Sequence, residues 1–431
     1  MIRILAGIFA TGSLFAQTGP STFTVATLAD SGPGSLRQAI ANANAQAGPS
    51  TITFASGLHG AIVLKTGALV LATSTEIDGP GAGLLSVSGG NASRVFEIES
   101  GAKITIHGLS IANGRAAGDV THPGLGGGIY MAGGALTLDG VSIAGNRAIG
   151  APNVASEIPS GTGPPNIGVG AGGGIYIANG NLAVTNSFVA NNQAFGAVGG
   201  PAAGPPQGMT GDGLGGGIFN QGGILTLTNT AFVNNQAVGG TGGTGASGGA
   251  GLGGGLSNSG GLTGANLVLA GNQAMGGSGG TGGNGGAGLG GGISNSGQLG
   301  LSTSWVSLNV AQGGNSNTGG GSGSGGGIYN GSGGATLLQN DSILVSNFAL
   351  GGNCVFAGCG MTAPAGDAFG GGLYGATNSV LTIGAARIID NHATGATGIG
   401  GGIYAAGTLT VSPNTVVTDN SASTANPNIF P

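Results

Sequence analysis

Eight times this chain runs Gly-Gly-Gly into Ile or Leu, follows with an apolar alternation, and closes on Asn-x-Ala. The apolar residue falls at Ile129, Ile175, Ile218, Leu256, Ile293, Ile328, Leu373 and Ile403, and the closing residues are Ala148, Ala194, Ala237, Ala274, Ala311, Ala349, Ala393 and Ala422. Between those marks the copies are 20, 20, 20, 19, 19, 22, 21 and 20 residues long. The joining segments vary from 23 residues (149–171) to 6 (394–399). A constant unit with variable connectors describes a stacked element that expels its loops to one side.

Each unit reads as strands. In LTLTNT (Leu225 to Thr230) apolar residues alternate with Thr, and helical periodicity is absent from the repeats. Three strand candidates per unit, GGIFN, ILTLT and AFVNN in the third copy, predict one turn of a three-faced solenoid whose successive strands pair in parallel about 4.8 Å apart. The predicted class is therefore all-β: a right-handed parallel β-helix with a short N-terminal capping helix. Gly at a tight corner permits positive φ and close stacking. Asn tolerates the left-handed region and bonds neighbouring backbone, so Asn146, Asn192, Asn235, Asn272, Asn309, Asn347, Asn391 and Asn420 are expected to stack as a ladder at one bend. A row of ligand-binding Asn is the functional alternative.

Composition excludes the competing readings. Of 431 residues 104 are Gly, but only 16 are Pro and the Gly runs are read as having no strict period of three, so collagen is rejected. Flexible disorder conflicts with 39% hydrophobic content recurring in register. A net charge of −5 spread thinly leaves no basic stripe for nucleic acid or an anionic membrane surface.

The boundaries follow from these patterns. Residues 1–16, with Arg3 before an apolar run, read as a secretory signal, a buried N-terminal strand being the alternative. Residues 17–50 form a cap containing a helix from Ser35 to Gly48, with Ser as N-cap and Gly as stop. Residues 51–116 make about three irregular turns, 117–422 the repeat, and 423–431 a tail whose Ile429 and Phe430 must cover the C-terminal end or leave it to another contact. Roughly 11 turns give a rod on the order of 50 Å long. No later apolar run is long enough for a transmembrane span.

The segment Thr27 to Phe54, TLADSGPGSLRQAIANANAQAGPSTITF, resembles the N-terminal cap of secreted bacterial β-helix proteins of the pectin-lyase-like superfamily. The body is similar to the repeats of chlamydial polymorphic outer-membrane proteins, which carry GGA[IL] and FxxN. Here GGA is replaced by GGG, and FxxN is intact only at Phe188 to Asn191 and Phe232 to Asn235. The resemblance implies a secreted or cell-surface β-helix. Those relatives end in a membrane barrel, a pattern not found through Pro431, so anchoring by that route is not expected. The Gly-rich loops also look like mycobacterial PGRS segments, a likeness of composition.

Chemistry is sparse. Superfamily members that cleave polysaccharide need clustered Asp with Arg or Lys. From Ile158 to Asn340 the one charged residue is Asp212. The weak catalytic candidates are Asp390, His392 and Arg387, with an exposed polar turn as the plainer reading; a second charged group is Arg94, Glu97, Glu99, Lys103 and His107. Calcium-binding β-rolls need Asp where these Gly runs carry Thr, Asn, Ser and Ala. Cys354 and Cys359 allow a small local disulfide, free thiols being the alternative, and two ligands make a poor metal site. No metal or cofactor is expected.

The function read from the sequence is a non-catalytic secreted or surface scaffold, adhesin-like, binding polysaccharide or a cell surface through six long Gly-rich loops or a flat Thr/Asn/Ser face. A polysaccharide lyase or hydrolase is the alternative. Ice binding fails because Thr does not recur at one register in all eight copies.

Overall fold

The computed structural model describes residues 20–119, 121–152, 168–199, 210–354 and 365–431; the expected signal segment lies outside them. The fold is a right-handed parallel β-helix with one helix at its N-terminal end. In the third copy a rung passes through Ile218–Asn220 (first sheet), Ile224–Thr228 (second), Ala231–Val233 (third) and Gln236–Val238 (fourth). After a Gly-rich excursion it re-enters through the fifth sheet at Gly251–Leu252. These sheets contain 11, 12, 11, 9 and 8 strands, and every pairing is parallel.

Five strands per rung replace the three expected. The extra pair flanks the loop: three residues after the Asn bend, and the two-residue Gly-Leu step before GGG. Neither is long enough to show a period of two by itself.

Packing follows the alternation. The residue after GGG stacks on its counterpart from Ile129 through Ile403 with essentially no exposure. Leu225, Leu227 and Phe232 complete the apolar interior of the third rung. The first Gly of every GGG has φ between 58° and 68°, a conformation that costs any residue with a Cβ.

The Asn ladder forms, for one of the two reasons anticipated. Each ladder Asn is buried, and from Asn192 onward its Oδ1 accepts from both the backbone N–H and the Nδ2 of the Asn one rung before, as Asn272 does from Asn235 at 3.0 Å, while Asn146 Oδ1 takes the Gly114 N–H. The left-handed conformation belongs instead to the preceding residue: Gly145, Asn191, Asn234, Gly271, Leu308, Ser346, Asp390 and Asp419 have φ between 52° and 68°. A second buried ladder, Asn220–Asn258–Asn295–Asn330, closes the first sheet with Nδ2-to-Oδ1 bonds of 2.8 Å. It was not foreseen.

The Gly-rich excursions at 239–251 and 276–288 are packed, not free, whereas most of the longer loops between 149 and 214 and between 350 and 369 lies outside the described residues. Gly239, Gly242, Gly245, Gly248 and Gly251 donate to Met275, Ser278, Thr281, Asn284 and Ala287 of the next rung at 2.8–2.9 Å. That spacing of three matches a threefold polyproline II-type strand, which has no internal hydrogen bonds and must find outside partners. A second series crosses between outgoing and returning legs: Gly240→Gly211, Gly249→Gly240, Gly277→Gly249, Gly286→Gly277, Gly314→Gly286, Gly321→Gly314, Gly352→Gly321 and Gly366→Gly352. The segments beneath are strict triplets, GGT-GGT-GAS-GGA from Gly239 and GGS-GGT-GGN-GGA from Gly276. The expectation that the Gly runs lack a strict period of three is therefore corrected: these two have it, without proline.

The two ends differ. At the N-terminal end the helix spans Leu36–Asn44, capped by Ser35, whose Oγ accepts from the Gln38 N–H at 3.2 Å. It stops at Ala45, short of the expected Gly48, and buries Leu36, Ala39, Ile40 and Ala43 against the first rungs. Asp30 bridges Arg37 at 2.8 Å and accepts from Thr66; burial pushes its carboxyl up, but these bonds outweigh it and hold it below the ordinary value. At the C-terminal end Ile429 and Phe430 pair in parallel with Ile403 and Tyr404, adding a partial rung rather than lying across the core. Leu409, Val411 and Val417 stay half-buried there.

Candidate functional site

The structure brings Asp390 and His392 together and leaves Arg387 apart. His392 Nε2 lies 3.3 Å from Asp390 Oδ1, although Asp390 is the left-handed residue of the bend and not a strand neighbour on the same face. The other ring nitrogen, Nδ1, is 2.6 Å from Ser421 Oγ, and the imidazole stacks on Phe348 with centroids 4.8 Å apart. Asp390 also accepts from Ser346 Oγ at 2.7 Å. Asp390, His392 and Ser421 therefore form one hydrogen-bonded group, assembled from the bend residue and the neighbouring rung. Arg387 stands exposed on the third sheet and makes no salt bridge among the described residues.

The N-terminal charged group splits likewise. Arg94 donates to Leu125 O, Gly126 O and Glu97, and lies 5.0 Å above the Tyr130 ring; burial lowers its pKa, but it stays a structural cation. His107 sits between Glu76 (3.5 Å) and Asp139 (3.6 Å) on the second sheet. Lys103 is exposed on the same strand, and Glu99 lies at the following turn end of another. Among the described residues no group of three or more His, Cys, Asp or Glu is arranged to hold a metal ion, and no helix is long and apolar enough to cross a membrane. Cys354 is disulfide-bonded, and Cys359 lies outside the described residues.

Asp212 has a packing role. Its Oδ1 accepts from the Ala250 N–H at 2.6 Å, and burial pushes the carboxyl above its ordinary value of 3.8. The folded chain thus keeps this proton to higher pH than the unfolded chain. Stability from this group is greatest at low pH and falls as pH rises through the folded value. Between about pH 4 and about pH 7 the melting temperature of Asp212→Asn should therefore fall less than that of the parent, because Asn keeps the acceptor without the charge. Parallel melting curves of the two proteins would refute the assignment.

What remains is a lateral face. On the third sheet Phe188, Ala231, Val268, Trp305 and Ile343 follow one another in register and point outward. Phe188, Val268 and Trp305 are 44%, 43% and 49% exposed, and Trp305 is the single tryptophan of the chain. Beside this column runs an exposed amide ladder at the corner with the second sheet. Asn186 donates to Asp139, Asn229 to Asn186 and Asn266 to Asn229 at 2.9–3.2 Å, and all three Asn are left-handed. Phe188, Ala231 and Val268 of the column and the three Asn of the ladder line a shallow groove of about 530 Å³, and Trp305 stands on the next rung beyond it. Sequence reasoning quoted Phe188 within FxxN but could not tell that its column faces solvent. The Thr column of the second sheet, Thr137, Thr226, Thr263, Thr382 and Thr410, is interrupted by Ala183, Gly300 and Leu337.

No family model matches the chain, and no curated protein matches it. Among solved structures it is similar to the Dettilon tailspike protein at 11% identity and TM-score 0.35, over 92% of this chain and 64% of the tailspike chain, less than two thirds of the latter. It is similar to pectate lyase Pel9A at 11% identity and TM-score 0.30, over 96% of this chain and 80% of that one. The A-module of the Azotobacter vinelandii mannuronan C-5 epimerase AlgE6 matches at 14% identity and TM-score 0.22, over 92% and 98%. The β-helix itself rests on the five parallel sheets, and no activity passes from those proteins to this chain.

Proposed function

We propose that the chain is a non-catalytic, secreted or cell-surface scaffold, adhesin-like, that binds glycan along its third sheet. The observation that carries this reading is Trp305 and Phe188, half exposed on one column three rungs apart, beside the Asn186–Asn229–Asn266 ladder. Aromatic side chains offer large apolar faces to the C–H surface of a sugar, and amides both donate and accept to hydroxyls. A rung spacing of about 4.8 Å is close to the length of a pyranose unit, so an extended chain can repeat its contacts rung by rung. The Gly-rich excursions at 239–251 and 276–288 enter as a rigid wall rather than as free loops, since their backbone groups are already bonded to one another.

The test is a glycan array and a cell-adhesion assay with the parent, Trp305→Ala and Phe188→Ala. Both variants should lose about tenfold or more in affinity while melting like the parent, since each removes an exposed anchor. Blank results for the parent in both assays would sink the proposal. For the lyase or hydrolase alternative, Asp390→Ala and His392→Ala should leave any turnover of acidic polysaccharide unchanged.

A further inference from the structure

The fourth sheet carries two arginines that no described group neutralises. Arg115 and Arg147 are partners in parallel register, both exposed, and neither joins any salt bridge among the described residues. Like charges on directly adjacent strands repel, so such a pair is stabilised by an anion shared between them. Arg115 also lines a cleft of about 570 Å³ with Asp119, His122 and Tyr130. The carboxylates of that cleft are committed elsewhere. Glu97 accepts from Arg94, and Asp119 Oδ1 accepts from the Thr121 hydroxyl, the Thr121 N–H and the His122 N–H, which hold its pKa down at about 2.

Beyond Arg147 the column continues as Gln193, Gln236 and Gln273, with Gln193 Nε2 donating to Gln236 Oε1 at 2.9 Å. Two residues along each strand stand Ile149, Phe195, Val238 and Met275, half-buried on the same face. The result is a polar strip beside an apolar strip, both running along the rod and beginning at the arginine pair. One guanidinium fork satisfies both oxygens of a planar carboxylate. Two forks about 4.8 Å apart along the stacking direction suit a tetrahedral oxyanion, which has oxygens enough for both.

We propose that Arg115 and Arg147 form a site for a sulfate or phosphate ester carried on an oligosaccharide, whose following sugars lie along Gln193 and Gln236. The sugar part rests on the glycan reading given above, but the site is on a different sheet from Trp305. The test is calorimetric titration with a sulfated oligosaccharide, its phosphorylated and desulfated counterparts, and a uronate oligosaccharide of equal length. The sulfated or the phosphorylated chain should bind, and whichever binds more tightly identifies the ester. Desulfation, Arg115→Gln and Arg147→Gln should each weaken binding about tenfold, the loss of one charge-assisted contact. The double variant should bind the esterified and the desulfated chains alike while melting like the parent. Repeated on the Trp305→Ala protein, the titration should show the same dependence on Arg115, Arg147 and the ester, so failure of the lateral-face reading leaves this result intact. Equal affinity for the uronate chain, or undiminished binding by the double variant, would overturn the proposal.

Discussion

Asn272→Ala should unfold at a much lower urea concentration than the parent, with a loss of about 4 kcal/mol or more. Asn272 is fully buried. Its Oδ1 takes the Asn235 N–H and Nδ2–H, and its Nδ2 serves Asn309 Oδ1 and Phe232 O at 2.9 Å. Truncation strands two donors and a carbonyl inside a rung that cannot admit water without opening, and each orphan costs about 1–3 kcal/mol. Asn272→Asp should be worse still, because a carboxylate then faces two acceptors in place of the lost amide donor. The exposed ladder supplies the contrast: Asn266→Gly keeps the left-handed backbone (φ 54°) and removes a solvated bond, so it should stay within about 0.5 kcal/mol of the parent. Equal urea midpoints for Asn272→Ala and Asn266→Gly would show that the buried amides do not hold the rungs.

Two single methyl groups should act in opposite directions on the same rod. Gly286 donates to Gly277 O and accepts from Gly314 N–H, both at 2.8 Å, and a Cβ placed on it would overlap the Gly249 carbonyl oxygen. The obstacle is backbone on a leg fixed from both sides, so no rotamer relieves it. Gly286→Ala should cost about 3 kcal/mol and speed amide exchange in the neighbouring legs at Gly277 and Gly314. At Gly300, on the outer face of the second sheet, nothing lies within 4 Å of an added Cβ and φ is not positive. Gly300→Ala should gain about 0.5 kcal/mol by restricting the unfolded chain. Coincident melting curves for the two variants would refute a packed glycine layer.

How much of this was legible depended on whether a pattern repeats within one segment or only across rungs. The apolar position after GGG, the buried Asn bend and the helix at Leu36 follow from local spacing, because each is fixed by residues a few positions apart. The Asn220 ladder has an equally local signature in IFN, LSN, ISN and IYN, but an Asn at a strand end marks a ladder only once the rungs are in register. The glycine layer is not legible locally, because the partners that make its triplets meaningful lie about a rung away in sequence. For the candidate sites the gap is one of register. Trp305 stands exposed because Val268 and Ile343 are its in-register neighbours, and Arg115 meets Arg147 across the whole rung between them. Neither juxtaposition exists in sequence until the pairing is known. The same holds for His392: Ser421 and Phe348, which occupy it, come from the rungs on either side.

The ladder amides Asn235, Asn272 and Asn309 are 37 residues apart at each step, and their GGX legs are matched in length. An in-frame duplication or deletion of one such period leaves every amide opposite an amide and every glycine opposite a carbonyl. Unequal recombination within the gene can therefore lengthen or shorten the rod without passing through a misfolded intermediate. Reach, and with it the number of rungs that a partner can engage, becomes a heritable quantity adjustable in single steps.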